Sequence, residues 1–251
     1  MANGHMPVVM PFTPMVKRLV ILSVGIWLIG QLILENIFNI NLTSIFALYP
    51  GKVLFDFFIW QPFTYMFLHS FDWSHIVFNM LMLWWLGAEL ETLWGGKFFL
   101  TYYLVTGVGA AGFYCLTMGL YAIITGSPQG MLTPVIGASG AIFGLLLAYG
   151  KIMGDRVVAF MMVFPMPAKY FVMLLGGIQI VSLMGSGFVG GEVAYLAHIF
   201  GLLSGFLFLK FIDWRKKSQQ IKKQPKGKLR LIVDNEKKDL EQKNAGPKYW
   251  N

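Results

Sequence analysis

Charge is scarce in this chain. Asp, Glu, Lys and Arg make up 13% of its 251 residues, about half the share that a soluble domain carries. Cysteine is scarcer still: the single Cys115 excludes an intramolecular disulfide framework and a cysteine-rich metal site, and its apolar neighbours mark it as a packing residue. Histidine occurs four times, and no cluster of His, Cys and carboxylates has ligand spacing, so neither a metal nor another cofactor is expected. What is abundant is apolar: 56% of the residues are hydrophobic and the mean hydropathy is +0.61. That is the composition of a polytopic membrane protein.

The net charge of +8 invites a nucleic-acid reading, which its distribution rejects. Of the 20 Lys and Arg, 13 fall between Lys210 and Lys248 and seven precede them. The charge is a property of the tail, suited to a cytoplasmic membrane face and its lipid, and no nucleic-acid partner is expected. The tail, 212–251, lacks apolar surface for a core of its own and reads as mostly disordered, with Leu229 to Val233 a short patch of potential order. At the other end, residues 1–6 (MANGHM) read as an expression-tag remnant, which removes His5 from functional reasoning, and 1–16 form an N-terminal segment. The apolar run after Lys17-Arg18 is long enough to span, and no cleavage-site signature follows it.

Six spans fit the apolar runs, near 17–35, 74–91, 97–118, 137–151, 169–186 and 192–211, giving an all-α membrane domain over 17–211. The first loop contains an aromatic, amphipathic stretch, 53–60, suited to the membrane interface, with Trp60 and Trp73 at headgroup level. The uncharged segment 119–136 reads as irregular backbone, tolerable at membrane depth only when protein or water surrounds it. Under this topology 19 basic residues lie on one side and only Lys52 on the other, so both termini are expected to face the cytoplasm. Glu89 and Glu91 then mark that cytoplasmic interface.

Against this background a few polar residues stand out. Ser139 sits in Gly137-Ala138-Ser139-Gly140, His198 follows Ala197, and Asn79 lies one turn after His75. A serine among small residues in a membrane helix usually just packs, and a lone histidine can be a relay, but polar groups at membrane depth are costly and argue for function. Depth joins them. Counting back twelve residues from Glu91, Lys151 and Lys210 reaches Asn79, Ser139 and His198, which is about 18 Å of helix on each span. Three parallel spans therefore offer polar groups to one plane. The pairs Gly140/Gly144 and Gly201/Gly205 let spans 4 and 6 approach closely, bringing a hydroxyl toward an imidazole, the combination of nucleophile and base. The fourth span is short, so water must reach its sunken N-terminus. His69 reads as a residue that orders the first loop. No acid is well placed to orient the base; Glu192 lies on a poorly matched face.

The order and spacing of His75-Ile76-Val77-Phe78-Asn79, Gly137-Ala138-Ser139-Gly140, Ala197-His198 with Gly201 and Gly205, and Glu91 with Gly95 resemble the rhomboid family of intramembrane serine proteases in its six-span bacterial form. The resemblance covers about 17–211. It implies that Ser139 is the nucleophile, His198 the base, and His75 and Asn79 donors to the oxyanion, with Gly137, Gly140, Phe143 and Gly201 in support. It also implies transmembrane protein substrates cut near their outer ends, residence in a bacterial inner membrane, span 5 as a lateral gate, and Gly185–Gly191 as a cap over the site. Many relatives carry a tyrosine at the position of Phe143, stacked on the histidine; here the ring remains and the hydroxyl is missing. A transporter with the same polar plane, or a non-catalytic relative that binds membrane helices, are the competing functions. The physiological substrate and the oligomeric state are open.

Overall fold

The computed structural model describes residues 11–160, 164–186 and 193–223. Five of its helices are long and apolar enough to cross a membrane, and a sixth apolar helix is shorter. The chain is an integral membrane helical bundle, as its composition demands.

Helix α1 (Pro14–Gly25) begins with proline in its first turn, where the missing N–H costs nothing, and widens into a π-helical stretch, Ile26–Glu35. The long first loop folds into three short helices, α2 (Thr43–Phe46), α3 (Pro50–Phe55) and α4 (Gln61–Thr64). The expected amphipathic stretch is thus helical only to Phe55, and Phe55, Phe57 and Ile59 project outward. Buried Gln61 ties this loop together, accepting from the Tyr49 N–H at 2.9 Å and donating to the Ile45 carbonyl at 3.1 Å.

Helix α5 (Trp73–Trp94) starts where the Asp72 carboxylate accepts from the Ser74 N–H at 3.0 Å, an N-cap that satisfies one orphan donor. It ends at Gly95, and α6 (Gly96–Thr125) starts at once. The third span was expected to stop near 118, yet α6 continues to Thr125, because the residues after 118 bring no charge or proline to stop it. The left-handed Gly126 ends it. Irregular backbone is therefore confined to the segments around α7 (Gln129–Leu132). There Leu48 and Val135 exchange backbone hydrogen bonds of 3.0 and 2.9 Å, so this non-helical chain is satisfied by protein.

Helix α8 (Ser139–Ile152) has 14 residues, about 21 Å of helix against a hydrocarbon core of roughly 30 Å. An antiparallel hairpin, β1 (Val157–Phe160) and β2 (Phe164–Pro167), follows it, seeded by β-branched Val157 and Val158. Next come α9 (Ala168–Ser186) and α10 (Val193–Lys223). Helix α10 continues past 211, since the Lys, Arg and Gln that end the apolar pattern are themselves good helix formers. Leu229 to Val233 lie outside the described residues. The chain divides after Ile212 into two units, and the polar site lies wholly in the first.

Glycine seams set the packing of α8 on α10. A Cβ on Gly201 would fall onto the Gly140 carbonyl, and one on Gly205 would lie 3.1 Å from the Gly144 Cα. At the charged end, Glu91, expected to mark the interface, is a buried anchor. Its carboxyl accepts from the Thr13 hydroxyl at 2.5 Å and from the Met15 and Val16 N–H groups at 2.9 Å. The reason is positional: the end of α5 abuts the start of α1, whose first N–H groups need acceptors. Glu89 pairs with Arg156 and Asp155 with Lys169.

Candidate active site

The polar site is built at the N-terminal ends of α5, α8 and α10. Gly137 adopts φ +120°, a conformation that side chains disfavour. A Cβ there would sit 2.9 Å from His75 Nε2, so this glycine both turns the chain and makes room for the imidazole. Its N–H donates to the Tyr65 carbonyl at 2.9 Å. Ala138 supplies no side-chain cap to α8. The first-turn N–H groups of that helix, including that of Ser139, consequently have no helical acceptor and carry the positive end of the dipole.

Ser139 Oγ lies 2.8 Å from His198 Nε2. The close approach of Gly201 to Gly140 brings the two helices this near. Phe143, one turn after Ser139, stacks on the imidazole with ring centroids 4.2 Å apart and planes 9° from parallel. Stacking thus needs only the ring that Phe143 retains. On its far side His198 Nδ1 lies 2.8 Å from Gln179 Oε1 of α9.

His75 Nδ1 accepts from the Ser70 N–H at 3.2 Å and lies 3.1 Å from the Ser70 hydroxyl. With Nδ1 used as an acceptor, the ring proton of the neutral imidazole sits on Nε2, beside Gly137. The loop that performs this orientation is held from the first span. Trp27 Nε1 donates to the Ser70 carbonyl at 2.9 Å, and Gln31 grips the His69 backbone through bonds of 2.6 and 2.8 Å. His69 itself is fully buried; burial, and then the neighbouring His75, push its imidazole down to about 4. Asn79 Nδ2 donates to the His75 carbonyl at 2.7 Å, while its Oδ1 has no partner among the described residues. An amide nitrogen carries two hydrogens, so one remains available.

A cavity of about 250 Å³ adjoins these groups, lined by His75, Asn79, Ser139 and His198 together with apolar Val135 and Ile136. It is large and polar enough for water. The structure therefore brings Ser139, His198, His75, Asn79, Gly137, Gly140, Phe143 and Gly201 into one region. Residues 187–192, which include Glu192 and most of the expected cap, lie outside the described residues. Two residues escaped the sequence reading. Tyr65 holds Gly137 through its carbonyl and donates its hydroxyl to the Gly107 carbonyl at 2.8 Å. Gln179 left one signal, an amide in an otherwise apolar span. Chemically, a hydroxyl bonded to an imidazole can surrender its proton, and the donors beside it can receive a developing negative charge.

Residues 57–215 match the Rhomboid domain. Among relatives, the mitochondrial Rhomboid protein 1 of Saccharomyces cerevisiae is 29% identical over 147 residues, covering 59% of this chain and 40% of that protein. Rhomboid protease GluP of Bacillus subtilis is 32% identical over 151 residues, covering 59% of this chain and 25% of the relative. Rhomboid protease GlpG of Klebsiella pneumoniae is 26% identical over 188 residues, covering 74% and 59%. The matches thus span less than half the length of the first two relatives. The domain match and these relatives agree with the helical membrane bundle: the chain belongs to the rhomboid family.

Proposed function

We propose that this protein is a serine endopeptidase that cuts transmembrane proteins within or near their spans. The observation that carries the reading is the 2.8 Å approach of Ser139 Oγ to His198 Nε2 beside a cavity that both residues line. Ser139 Oγ attacks the peptide carbonyl carbon as its proton passes to His198 Nε2. The tetrahedral oxyanion is held by the Ser139 N–H at the positive end of α8, by the spare Asn79 hydrogen and by His75 Nε2–H. As the C–N bond breaks, His198 returns the proton to the leaving amine. Water then attacks the acyl-enzyme ester with His198 as base, and Ser139 recovers its proton.

The membrane domain covers 17–211, with 1–16 before it and a basic tail, 212–251, after it. The 19-to-one distribution of basic residues supports cytoplasmic termini and a cavity opening toward the far side, in a bacterial inner membrane. An extended cleavage pose requires local unwinding of a substrate helix, which favours small or helix-weakening residues at the cut. Span α9 serves as the lateral gate. A fluorophosphonate probe tests the assignment: wild type in lipid is labelled and Ser139→Ala is not. Absence of labelling in folded wild type would favour a non-catalytic binder of membrane helices.

A further inference from the structure

We infer that Gln179 is a positioning residue that selects the working tautomer of His198; the inference deepens the protease reading and rests on it. An imidazole can take the Ser139 proton only through an unprotonated Nε2, which requires the ring proton to reside on Nδ1. The same neutral ring with its proton on Nε2 would donate to Ser139 Oγ and could not act as its base. The Nδ1 partner therefore decides whether the pair works. That partner is Gln179 Oε1, at 2.8 Å, an acceptor that makes Nδ1–H the favourable state.

Among the described residues, the other neighbours of the ring leave this choice to Gln179. Phe143 covers a ring face and restricts tilt, but a stacked ring is indifferent to which nitrogen is protonated. The Ser139 hydroxyl can donate or accept, so it follows the ring and does not set it. Gln179 is 8% exposed, and a buried amide that lost its partner would incur a desolvation penalty. The serine–histidine–aspartate arrangement uses a carboxylate for this task. Here a neutral amide does it, which avoids placing a second charge in the membrane. Gln179 belongs to α9, whereas Ser139 and His198 belong to α8 and α10, so the orientation of the base depends on the seating of a third helix.

The test measures cleavage of a single-span protein in reconstituted vesicles together with the ¹⁵N spectrum of the histidine side chains, the His198 resonances being assigned by their loss in His198→Ala. In wild type at neutral pH, Nδ1 of His198 should appear protonated and Nε2 unprotonated. Gln179→Met, similar in length but without a strong acceptor, should mix the tautomers and lower kcat on the order of 10- to 100-fold, since part of the general-base contribution is lost. KM should stay within about twofold, because no substrate contact is lost. Gln179→Glu keeps an acceptor and should restore most of the turnover and the Nδ1–H signature.

Wild-type His198 with Nδ1 unprotonated, or Gln179→Met turnover within about twofold of wild type, would overturn the inference. If Gln179→Met fails to fold, the wild-type spectrum still decides. Cleavage that persists in Ser139→Ala would sink the protease reading instead, and the tautomer spectrum would remain a separate result.

Discussion

Helix α5 carries buried polar groups at both ends and uses them in opposite ways. At the Glu91 end the carboxyl receives the Thr13 hydroxyl and two backbone N–H groups, joining the end of one span to the start of another. At the His75 end, Asn79 Oδ1 has no partner among the described residues, and the first N–H groups of α8, like those of any helix, lack helical acceptors. A cavity lies beside them. Buried polar groups ordinarily find partners, so spare capacity next to a cavity marks a place where a ligand completes the bonding.

The contrast can be broken most directly at the cavity. Ser139→Ala and His198→Ala should abolish cleavage while the unfolding midpoint in detergent stays near that of wild type; a large loss of stability would make the pair another anchor. At the opposite end, Glu91→Ala should destabilise the bundle by on the order of 3–4 kcal/mol, since three donors lose their acceptor at once. Turnover by the fraction that remains folded should be unchanged, and an intrinsic loss of kcat would blur the distinction.

Asn79→Ala should slow turnover about a hundredfold, close to 3 kcal/mol in the transition state, and leave folding intact; unchanged turnover would remove Asn79 from the oxyanion site. Gly201→Val tests the seam that seats the pair. The added side chain meets backbone and not a flexible neighbour, so a stability loss of about 1–3 kcal/mol is expected, read as a lower thermal midpoint.

The smallest effect concerns His69. Its imidazole is held down to about 4 in the fold against an ordinary 6.5, so the unfolded chain binds the proton first as pH falls. Its stabilising contribution is complete above 6.5 and declines between 6.5 and 4, by roughly 1–3 kcal/mol. Histidine-to-phenylalanine substitution, His69→Phe, should flatten that part of the midpoint-versus-pH curve. An unaltered slope would show that other groups carry it.

Much of this arrangement was legible before any coordinates. Hydropathy located six apolar segments because lipid demands long runs with few charges. Counting helix rise back from Glu91, Lys151 and Lys210 singled out Asn79, Ser139 and His198, and glycine spacing pointed to which helices approach. Helix ends were less legible. Helix α6 outran its expected limit and α10 passed 211, since hydropathy measures the thickness of lipid and not the point where backbone hydrogen bonding stops. The anchoring role of Glu91 is not legible in the sequence, because nothing local tells that α1 begins beside it. Gln179 was visible only as an oddity in an apolar span; its partner lies 19 residues away across a segment whose path the sequence does not reveal.

Composition and periodicity by themselves determined a membrane helical bundle and its apolar segments, because each follows from one-dimensional rules of burial and rise. Only the tertiary structure decided which polar groups are satisfied and which nitrogen of each histidine faces which partner. Those outcomes depend on distances between helices, and hydrogen bonds form or fail over fractions of an ångström that no linear pattern encodes.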